Sequence, residues 1–535
     1  TGGYAEHDVF FRENNTDIGI NYRKIIGDFD VDIYAGANRM DQVASTLQSQ
    51  ALSLAQPGIF SLNNSSVPID VFSFDARKRI NSIYGIAKLG YKGFLYLDIT
   101  GRNDWSSALA TSVSTENVSF FYPSVSGSFI ASNVLDLPEQ VSFAKLRVSF
   151  AQVGNDTDPF QTQGVFRSQT PYNGQPTFSD QNTVPNANLL PERTNSIELG
   201  TEIRFLKDRL SLDVTYFNAL TENQIISLPT PISSGYNEQV VNGGKVRSKG
   251  WEIIAGATPI KRGKFYWNTL VNFSRYRNVV EELPDGADRI TLAYSRVYDN
   301  VNQTVFFIVE EGGRIGDMYG TGYLKNENGD FVIDENGKYI VDNTLKKIGN
   351  YAPDFMIGFN NQFAYKNFTA SFVIDWRQGG ELVSRTQALA GVAGQLEETG
   401  FRPESGIIAD GVVNVGTAEN PNYVDNTTAV DPEAYYRQFY DRNHEENNTY
   451  DASYVKLREF SIGYTFENEL LSNTFLRNFR SIQFSIIGRN LFAISKIPHF
   501  DPEQLAVQGN NFVNGVEDMS YASTRSIGFK IGINF

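Results

Sequence analysis

The stretch FTASFVIDWR, residues 368–377, decides the fold. Large apolar side chains stand at every second position, from Phe368 to Trp376, and polar side chains such as Asp375 and Arg377 stand between them. A period of two over ten residues predicts a β-strand with one apolar and one polar face. The same alternation recurs in 197–205, 208–218, 355–364 and 525–535.

About fifteen such strands can be read along the chain. We expect them near 17–26, 29–39, 79–92, 93–105, 118–132, 142–153, 192–206, 208–220, 245–260, 263–277, 354–366, 367–379, 451–466, 480–494 and 523–535. Very short connections, such as 27–28 and 366–367, alternate with long ones, such as 278–353 and 380–450. This pattern is typical of a transmembrane antiparallel up-and-down β-barrel whose long loops leave one rim. Because single-chain bacterial barrels have an even number of strands, an odd count predicts further strands upstream.

The polar face of these strands is too charged to contact lipid. It carries Glu198, Glu202, Arg204, Arg209, Asp213, Asp375, Arg377 and Lys530. A charge that faces hydrocarbon costs about 2–4 kcal/mol, so we expect these side chains to line a lumen. The apolar face would then contact lipid, with Tyr and Trp near the strand ends as an interfacial girdle. A soluble β-sandwich also has alternating strands, but the long strands, the asymmetric loops and the charged face favour the membrane barrel.

The composition excludes several classes of protein. The 535 residues include 46 Lys and Arg against 61 Asp and Glu, and a net charge of −15 argues against nucleic-acid binding. There is no Cys, which excludes disulfides and thiolate metal sites. The three histidines, His7, His444 and His499, are too scattered to form a histidine metal site without carboxylates. No segment offers the roughly 18 consecutive apolar residues of a helical membrane span.

Four groups of motifs lie at barrel-compatible positions. They are RNDWSS (102–107) with FYPSVS (121–126); LRVSFAQVGN (146–155); NGGKV (242–246) with KGWE (249–252); and YVKLRE (454–459) with GY (463–464), GRNLF (488–492) and DPE (501–503). On these motifs, residues 80–535 resemble the C-terminal part of the β-barrel of a SusC/RagA-like TonB-dependent outer-membrane transporter. The motif positions with a structural role are Arg102, Asp104, Gly154, Asn155, Gly250, Glu252, Arg489, Asn490 and Phe535.

The chemistry of several of these residues also predicts a structural role. Asp104 and Asn155 stand where strands turn into loops, and we expect them to cap the loop starts through side-chain to backbone hydrogen bonds. Gly250 lies within a strand and would allow a close backbone approach or a bend. Phe535 ends an alternating strand and resembles the aromatic C-terminal signal that outer-membrane assembly machinery reads.

The resemblance implies an importer in the bacterial outer membrane. Members have a 22-strand barrel plugged by an N-terminal domain, so residues 1–535 would be the later β-barrel portion, with the plug domain and the first strands not in this chain. The implied partners are a SusD-like surface lipoprotein that acts as a lid, the TonB complex reached through the missing N-terminal part, and outer-membrane lipids. The implied substrate is an oligosaccharide. The alternatives are a peptide importer of the same family and a non-transporting scaffold or secretion-associated barrel.

The long loops hold the candidate ligand-binding residues. Aromatic rings stack on sugar rings, which singles out Tyr236, Tyr298, Tyr319 and Tyr436, although each of these could instead pack within a loop core. No nucleophile, carboxylate pair or metal cluster has a defined spacing, so the chain is not predicted to be an enzyme and no catalytic residue is named. Asp and Asn residues in 326–330 could suit calcium, but they depart from the EF-hand spacing, and no metal or other cofactor is predicted.

Overall fold

One sheet of sixteen strands forms the framework of the molecule. Fifteen of them are antiparallel and follow one another in chain order, and the short strand Thr183–Val184 pairs in parallel with residues 238–239. The structure is a computed structural model that describes residues 2–297, 300–417, 419–441, 443–472, 474–476, 478–508 and 511–535. The strands are β1 (Tyr4–Ile26), β2 (Phe29–Ala51), β3 (Asp70–Tyr91), β4 (Leu95–Ser106), β5 (Ser119–Ile130), β6 (Val141–Asn155), β7 (Glu192–Phe205), β8 (Leu210–Pro229), β9 (Glu238–Arg262), β10 (Phe265–Glu282), β11 (Phe355–Tyr365), β12 (Phe368–Gln378), β13 (Tyr454–Glu467), β14 (Ser481–Ser495) and β15 (Ser526–Asn534). Each strand pairs with the next one, and within the described residues β1 and β15 do not pair with each other.

All fifteen predicted strands are present, which confirms the fold class, but several are longer than expected. β1 begins at Tyr4 rather than near residue 17, β2 continues to Ala51 rather than residue 39, and β3 begins at Asp70 rather than residue 79. A membrane strand needs only about 9–11 residues, so these strands extend well beyond a bilayer. In these outer parts of the strands the alternation of apolar and polar residues fades, whereas the backbone ladder continues.

Long and short connections leave opposite edges of the sheet, as the sequence predicts. One edge carries tight turns, and Gly27 and Gly263 adopt positive φ angles of 58° and 60° in two of them. The opposite edge carries the long segments 283–354, 379–453 and 496–525. This edge is therefore the extracellular one in a barrel of this type.

Three long connections fold together into one unit, which we call the loop domain (283–354, 379–453 and 496–525). Its strands are Arg289–Val297, Asn300–Glu310, Asp317–Tyr323, Val332–Ile333, Val341–Asn350, Glu381–Ser384, Ile407–Ile408, Val412–Asn414, Tyr423–Asp425, Ala429–Val430, Thr449–Asp451, Ala506–Gln508, Asn511–Val513 and Val516–Glu517. Its helices are α1 (Arg385–Val392) and α2 (Pro432–Phe439), with 3₁₀ turns at Glu398–Gly400 and Glu445–Asn448. Glu381–Ser384 pairs with both Thr449–Asp451 and Val516–Glu517, so two connections share one small sheet.

Smaller elements occupy the remaining connections. They are the strands Arg167–Tyr172, Gln175–Ser179 and Thr183–Val184, the helix α3 (Asn468–Leu471), and 3₁₀ turns at Leu62–Asn64, Ser107–Leu109, Ala131–Asn133 and Ile232–Ser234. No helix in the described part of the chain has the length and apolar character that a membrane span requires.

The two faces of the sheet differ in chemistry as predicted. Large apolar side chains stand exposed on one face, among them Ile18 (75 % exposed) and Leu199 (52 % exposed). The other face carries ion pairs, including Arg147 with Asp213, whose closest atoms are 2.6 Å apart. Exposed aliphatic side chains in such numbers are stable only against lipid, so the charged face lines the lumen.

Candidate functional site

The two parts of the first motif group, RNDWSS and FYPSVS, form one polar cluster on the lumen face. Arg102 donates to the Asp104 carboxylate at 2.7 Å and to the Ser82 hydroxyl at 2.9 Å, and the Tyr122 hydroxyl also donates to Asp104. Asp104 lies within β4 and is buried, so the expectation that it caps a loop is wrong. Its partners are Arg102 on the same strand and Tyr122 on the neighbouring strand, so an ion pair and a hydroxyl hydrogen bond take the place of the expected turn cap.

The end of β6 holds the connection 156–191 against the wall. Asp156 directly follows the second motif; its carboxylate accepts from Lys78 Nζ at 2.6 Å and from the Ser106 hydroxyl. Asn155 donates to the Glu192 carboxylate at 2.9 Å, so its expected side-chain to backbone cap is also wrong. Lys78 and Asp156 were not predicted as functional residues, although an acidic residue directly after LRVSFAQVGN was a visible signal.

Glycines at two motif positions allow close packing. A Cβ on Gly154 would lie 2.6 Å from the Phe120 ring. A Cβ on Gly250 would collide with the Arg275 carbonyl oxygen on the neighbouring strand, which confirms the expected close backbone approach. Real Cβ atoms do not approach other heavy atoms so closely, so Gly250 cannot be replaced without a backbone shift, and a side chain at position 154 would have to displace the Phe120 ring.

The third motif also joins a loop to the wall. The Asn242 side chain accepts from the Leu190 amide at 2.7 Å and donates to the carbonyls of Leu190 (2.8 Å) and Asn223 (3.1 Å). The connection 156–191 is thus held at both of its ends. Glu252 stands opposite Thr215 on the neighbouring strand and is exposed.

The two parts of the fourth motif meet through ion pairs. Lys456 on β13 contacts the carboxylates of Asp501 and Glu503, the latter at 2.7 Å, and its side chain is only 4 % exposed. Arg458 contacts both Glu503 and Asp375, the latter at 2.6 Å. Burial alone would raise the pKa of Glu503, but hydrogen bonds from Arg458 and Lys456 outweigh it and lower that pKa from 4.5 to about 2. These contacts tie the connection 496–525 to the barrel wall.

The remaining motif residues lie near the end of the chain. Arg489 faces Glu459 at 3.5 Å, and both side chains are largely exposed. Asn490 adopts a positive φ of 50° where the register of β13 against β14 shifts. The ring of Phe535 lies 5.2 Å from that of Phe479 and is otherwise exposed. The role of Phe535 in membrane assembly stays a prediction.

The three candidate tyrosines in the described part of the chain lie in two different surroundings. Tyr319 and Tyr436 are buried in the loop domain, and the Tyr436 hydroxyl donates to the carbonyls of Glu398 (2.6 Å) and Phe401 (2.9 Å). Tyr236 lies in a different connection and donates to Asp180 at 3.2 Å, whereas Tyr298 lies outside the described residues. A role in ligand binding stays a prediction for all four.

A cleft of about 690 Å³ at the extracellular rim is the strongest candidate site for a ligand. We call it the rim cleft; its walls are the first residues of β3 and the connection 156–191. Its lining includes the rings of Phe72, Phe74, Phe160 and Phe166, the carboxamides of Gln161, Gln169 and Gln181, and the charged groups of Asp75 and Arg167. Phe74 and Phe160 meet edge to face, with ring centroids 5.8 Å apart.

Two of the rings that line the rim cleft lie on the lumen side of the wall. Phe72 and Phe74 continue the face of β3 that carries Lys78 and Ser82, and β3 pairs with β2 without a register shift. The sequence analysis missed these rings because it placed residues 40–78 in a loop. Apolar rings beside amide groups can hold a ligand with both apolar and hydrogen-bonding surfaces.

No group of three or more His, Asp or Glu residues among the described parts of the chain is arranged to hold a metal ion. The expectation that no cofactor is needed therefore stays a prediction.

The protein is the wall of an outer-membrane β-barrel. Three features define this class: a meander of long strands, one lipid-facing and one lumen-facing side, and long loops at one edge only. The family model described as "TonB dependent receptor-like, beta-barrel" matches residues 2–375, and the chain belongs to this family. Its members are outer-membrane transporters and not enzymes, which confirms the predicted location, the resemblance and the absence of an enzymatic role.

Curated relatives and solved structures agree with this assignment. The chain is 27 % identical over 502 residues to TonB-dependent receptor P3 of Formosa agariphila, a match that covers 89 % of this chain and 47 % of that protein. It is 22 % identical over 331 residues to TonB-dependent receptor SusC of Bacteroides thetaiotaomicron, covering 59 % of this chain and 30 % of SusC. The RagAB peptide transporter structure has a TM-score of 0.75 at 17 % identity and covers 99 % of this chain and 56 % of that one. The chain thus spans about half the length of receptor P3.

Proposed function

We propose that this chain forms most of the wall of a TonB-dependent importer that takes up oligosaccharides together with a SusD-like surface lipoprotein. In this proposal the TonB complex supplies the energy through a plug domain, and the charged lumen face provides a hydrated path. The observation that carries the proposal is the rim cleft, where Phe74 and Phe160 lie beside three carboxamides on the lumen side. Aromatic faces cover the apolar faces of sugar rings, and carboxamides pair with hydroxyl groups.

The loop domain supports a lid partner. Apolar side chains stand exposed on its connection 379–453, including Phe401 (66 % exposed), Ile408 (55 %) and Val415 (58 %). Exposed apolar groups concentrated on one segment mark a surface for a protein partner. A lipoprotein that covers the extracellular rim would bury them.

A peptide is the second candidate substrate. The solved structure with a TM-score of 0.75 is that of the RagAB peptide transporter. At 17 % identity this likeness shows the fold alone, but the rings of the rim cleft would also accept apolar peptide side chains.

Calorimetric titration of the full-length protein, copurified with its lid, against a glycan panel and a peptide mixture tests the proposal. The variants are Phe74→Ala and Phe160→Ala. The control is Phe178→Ala, because Phe178 is 64 % exposed on the same connection and does not line the rim cleft. Loss of one ring that a bound ligand would cover should weaken binding about 10- to 100-fold, and the control should bind like wild type.

The outcomes distinguish a glycan importer, a peptide importer and a scaffold barrel. Saturable glycan binding that needs Phe74 supports the proposal, and binding of peptides alone supports the second candidate. If neither class binds and deletion of the gene leaves growth on every tested glycan and peptide unchanged, import is refuted and a scaffold barrel remains.

A further inference from the structure

On the lipid-facing side of β1, β2 and β3, the residues change from apolar to charged along the strands toward the extracellular edge. The register places the following residues side by side in successive rows from the membrane toward the extracellular edge: Ile18–Ala37–Ile83, then Thr16–Arg39–Asn81, then Asn14–Asp41–Arg79, then Arg12–Val43–Arg77. Below the first of these rows the outer face is apolar over most of its height, and above it four arginines occupy three rows. We call Arg12, Arg39, Arg77 and Arg79 the arginine patch.

The height of the arginine patch follows from the strand geometry. Arg39 lies ten residues along β2 from Phe29, which adjoins the short turn at the opposite edge of the sheet. Ten residues span about 33 Å along a strand, and a tilt of about 40° reduces this to about 25 Å, the height of the apolar band of such barrels. Arg39 therefore stands where hydrocarbon gives way to headgroups on the extracellular side.

A tryptophan marks the same level independently. Trp105 on β4 pairs with Asn81, which is in the row of Arg39, and its side chain is 37 % exposed. Tryptophan concentrates at the membrane–water boundary because its ring is apolar and its N–H is polar. The patch thus begins at the boundary and extends into the headgroup region.

The patch has more positive charge than its own carboxylate can neutralise. Asp41 pairs with both Arg77 and Arg79 at 2.8 Å. Arg12 and Arg39 are exposed, and neither has an ion-pair partner among the described residues. A local excess of cations is notable in a chain with a net charge of −15, and it faces the membrane rather than the lumen.

The same arrangement recurs on the other part of the wall. Trp251 pairs with Tyr216 and with Arg275 on the neighbouring strands, and the next row toward the extracellular edge pairs Lys249 with Arg277. Cations therefore follow a boundary tryptophan at a second place around the barrel.

We propose that the arginine patch binds the phosphate groups of the anionic glycolipid in the outer leaflet. A guanidinium group offers parallel N–H donors that match the oxygens of a phosphate, and it keeps its charge at any physiological pH. Arg12 and Arg39 are available for phosphate, while Asp41 holds Arg77 and Arg79 in place beside them. This inference depends on the outer-membrane location and is independent of whether the protein transports anything.

Native mass spectrometry of the full-length protein in detergent tests this proposal with bisphosphorylated lipid A as the probe. The main variant is Arg12→Gln with Arg39→Gln, because it removes two charges and breaks no ion pair. The matched control is Arg289→Gln with Lys338→Gln, which removes two exposed cations from the loop domain. Each arginine near a membrane surface contributes about a fivefold gain in binding, so the main variant should lose about 25-fold and the control less than twofold.

Two further arms distinguish the source of the phosphate and the type of partner. Lipid A from which both phosphates have been removed should bind wild type and the main variant equally weakly. Inorganic phosphate at millimolar concentration should not displace lipid A, because the acyl chains must contact the apolar rows below the patch. The proposal is overturned if the main variant binds lipid A like wild type, if dephosphorylated lipid A binds equally well, or if free phosphate competes fully. Retention of the heat-dependent gel shift of a folded barrel by the main variant excludes misfolding as the cause.

Discussion

Lys456→Met removes the central cation of the contact between β13 and the connection 496–525. In the native protein the Lys456 ammonium group lies between the carboxylates of Asp501 and Glu503, and 4 % of the side chain is exposed. Methionine fills a similar volume without charge. Asp501 then loses the one cation that contacts it among the described residues, whereas Glu503 keeps its contact with Arg458.

The expected magnitude follows from this unequal loss. Removal of one partner of a buried ion pair costs about 3–5 kcal/mol, because the other charge stays buried without compensation. The side chain of Asp501 is 17 % exposed and can be partly rehydrated, and Glu503 remains paired. We therefore expect a loss of about 2–3 kcal/mol in the free energy that holds the connection to the wall, which is about a 30- to 150-fold rise in its opening equilibrium.

Hydrogen exchange of backbone amides in residues 496–508, measured at pH 7 in detergent, is the assay. The control is Lys496→Met, because Lys496 pairs with Asp451 at 2.7 Å but is 70 % exposed, and such a surface pair contributes about 0–1 kcal/mol. Exchange in 496–508 should accelerate in the Lys456 variant and stay near the wild-type rate in the control. Equal protection in wild type and the Lys456 variant, or an equal loss in both variants, would refute the view that this ion-pair cluster anchors the connection.

Three other changes have defined outcomes. Gly250→Val places a side chain against a neighbouring backbone and should lower barrel stability by about 1–3 kcal/mol. The heat-dependent gel shift should then occur at a lower temperature. Gly528→Val should change that temperature little, because the space around Gly528 is open. Burial raises the pKa of Glu445 from 4.5 to about 8, so its neutral carboxyl stabilises the loop domain fully below about pH 4.5, and this contribution is lost as the pH rises through about 8. Glu445→Gln should abolish this pH dependence of the opening free energy of the loop domain, which hydrogen exchange measures. An unchanged pH profile in the variant would contradict a raised pKa for Glu445. Phe401→Ser should reduce copurification of the lid severalfold. Phe475→Ser should not, although Phe475 is more exposed (92 % against 66 %), because it lies on a connection at the opposite edge of the sheet; equal recovery of the lid with both variants would exclude this surface.

The strands could be predicted from the sequence because lipid on one side and water on the other enforce a period of two. In β12 the alternation runs from Phe368 to Arg377, and the predicted and observed bounds nearly coincide. In β1 the alternation of apolar and polar side chains is clear only from about Ile18 onward, so the first part of that strand was not recognised. Pairing there depends on the backbone ladder, which leaves no pattern in the side chains.

The candidate site was harder to predict, because its contacts join residues that are far apart in the chain. The segment 40–78 was assigned to a loop, which concealed Phe72 and Phe74, and their partner Phe160 lies on a connection of its own. The motifs did locate residues that matter, but local chemistry assigned Asp104 and Asn155 to turn caps, since a sequence shows neighbours in the chain and not neighbours across a sheet. Burial of Tyr319 and Tyr436 likewise depends on how three distant connections fold together.

Arg458 shows why even a recognised motif did not reveal its own mechanism. The register of β13 shifts at this residue against both β12 and β14, so Arg458 is an additional residue in the strand. A β-bulge redirects a side chain and strengthens the local twist, and here the guanidinium group reaches Asp375 on one neighbour and Glu503 on a connection 45 residues further along the chain. In a regular strand, with its period of two, Lys456 and Arg458 would point to the same face and meet similar neighbours. Lys456 and Arg458 instead share Glu503 but differ in their second partner, which is Asp501 for Lys456 and Asp375 for Arg458. Because Arg458 still holds Glu503, the contact between β13 and the connection 496–525 should weaken but not disappear when Lys456 is replaced.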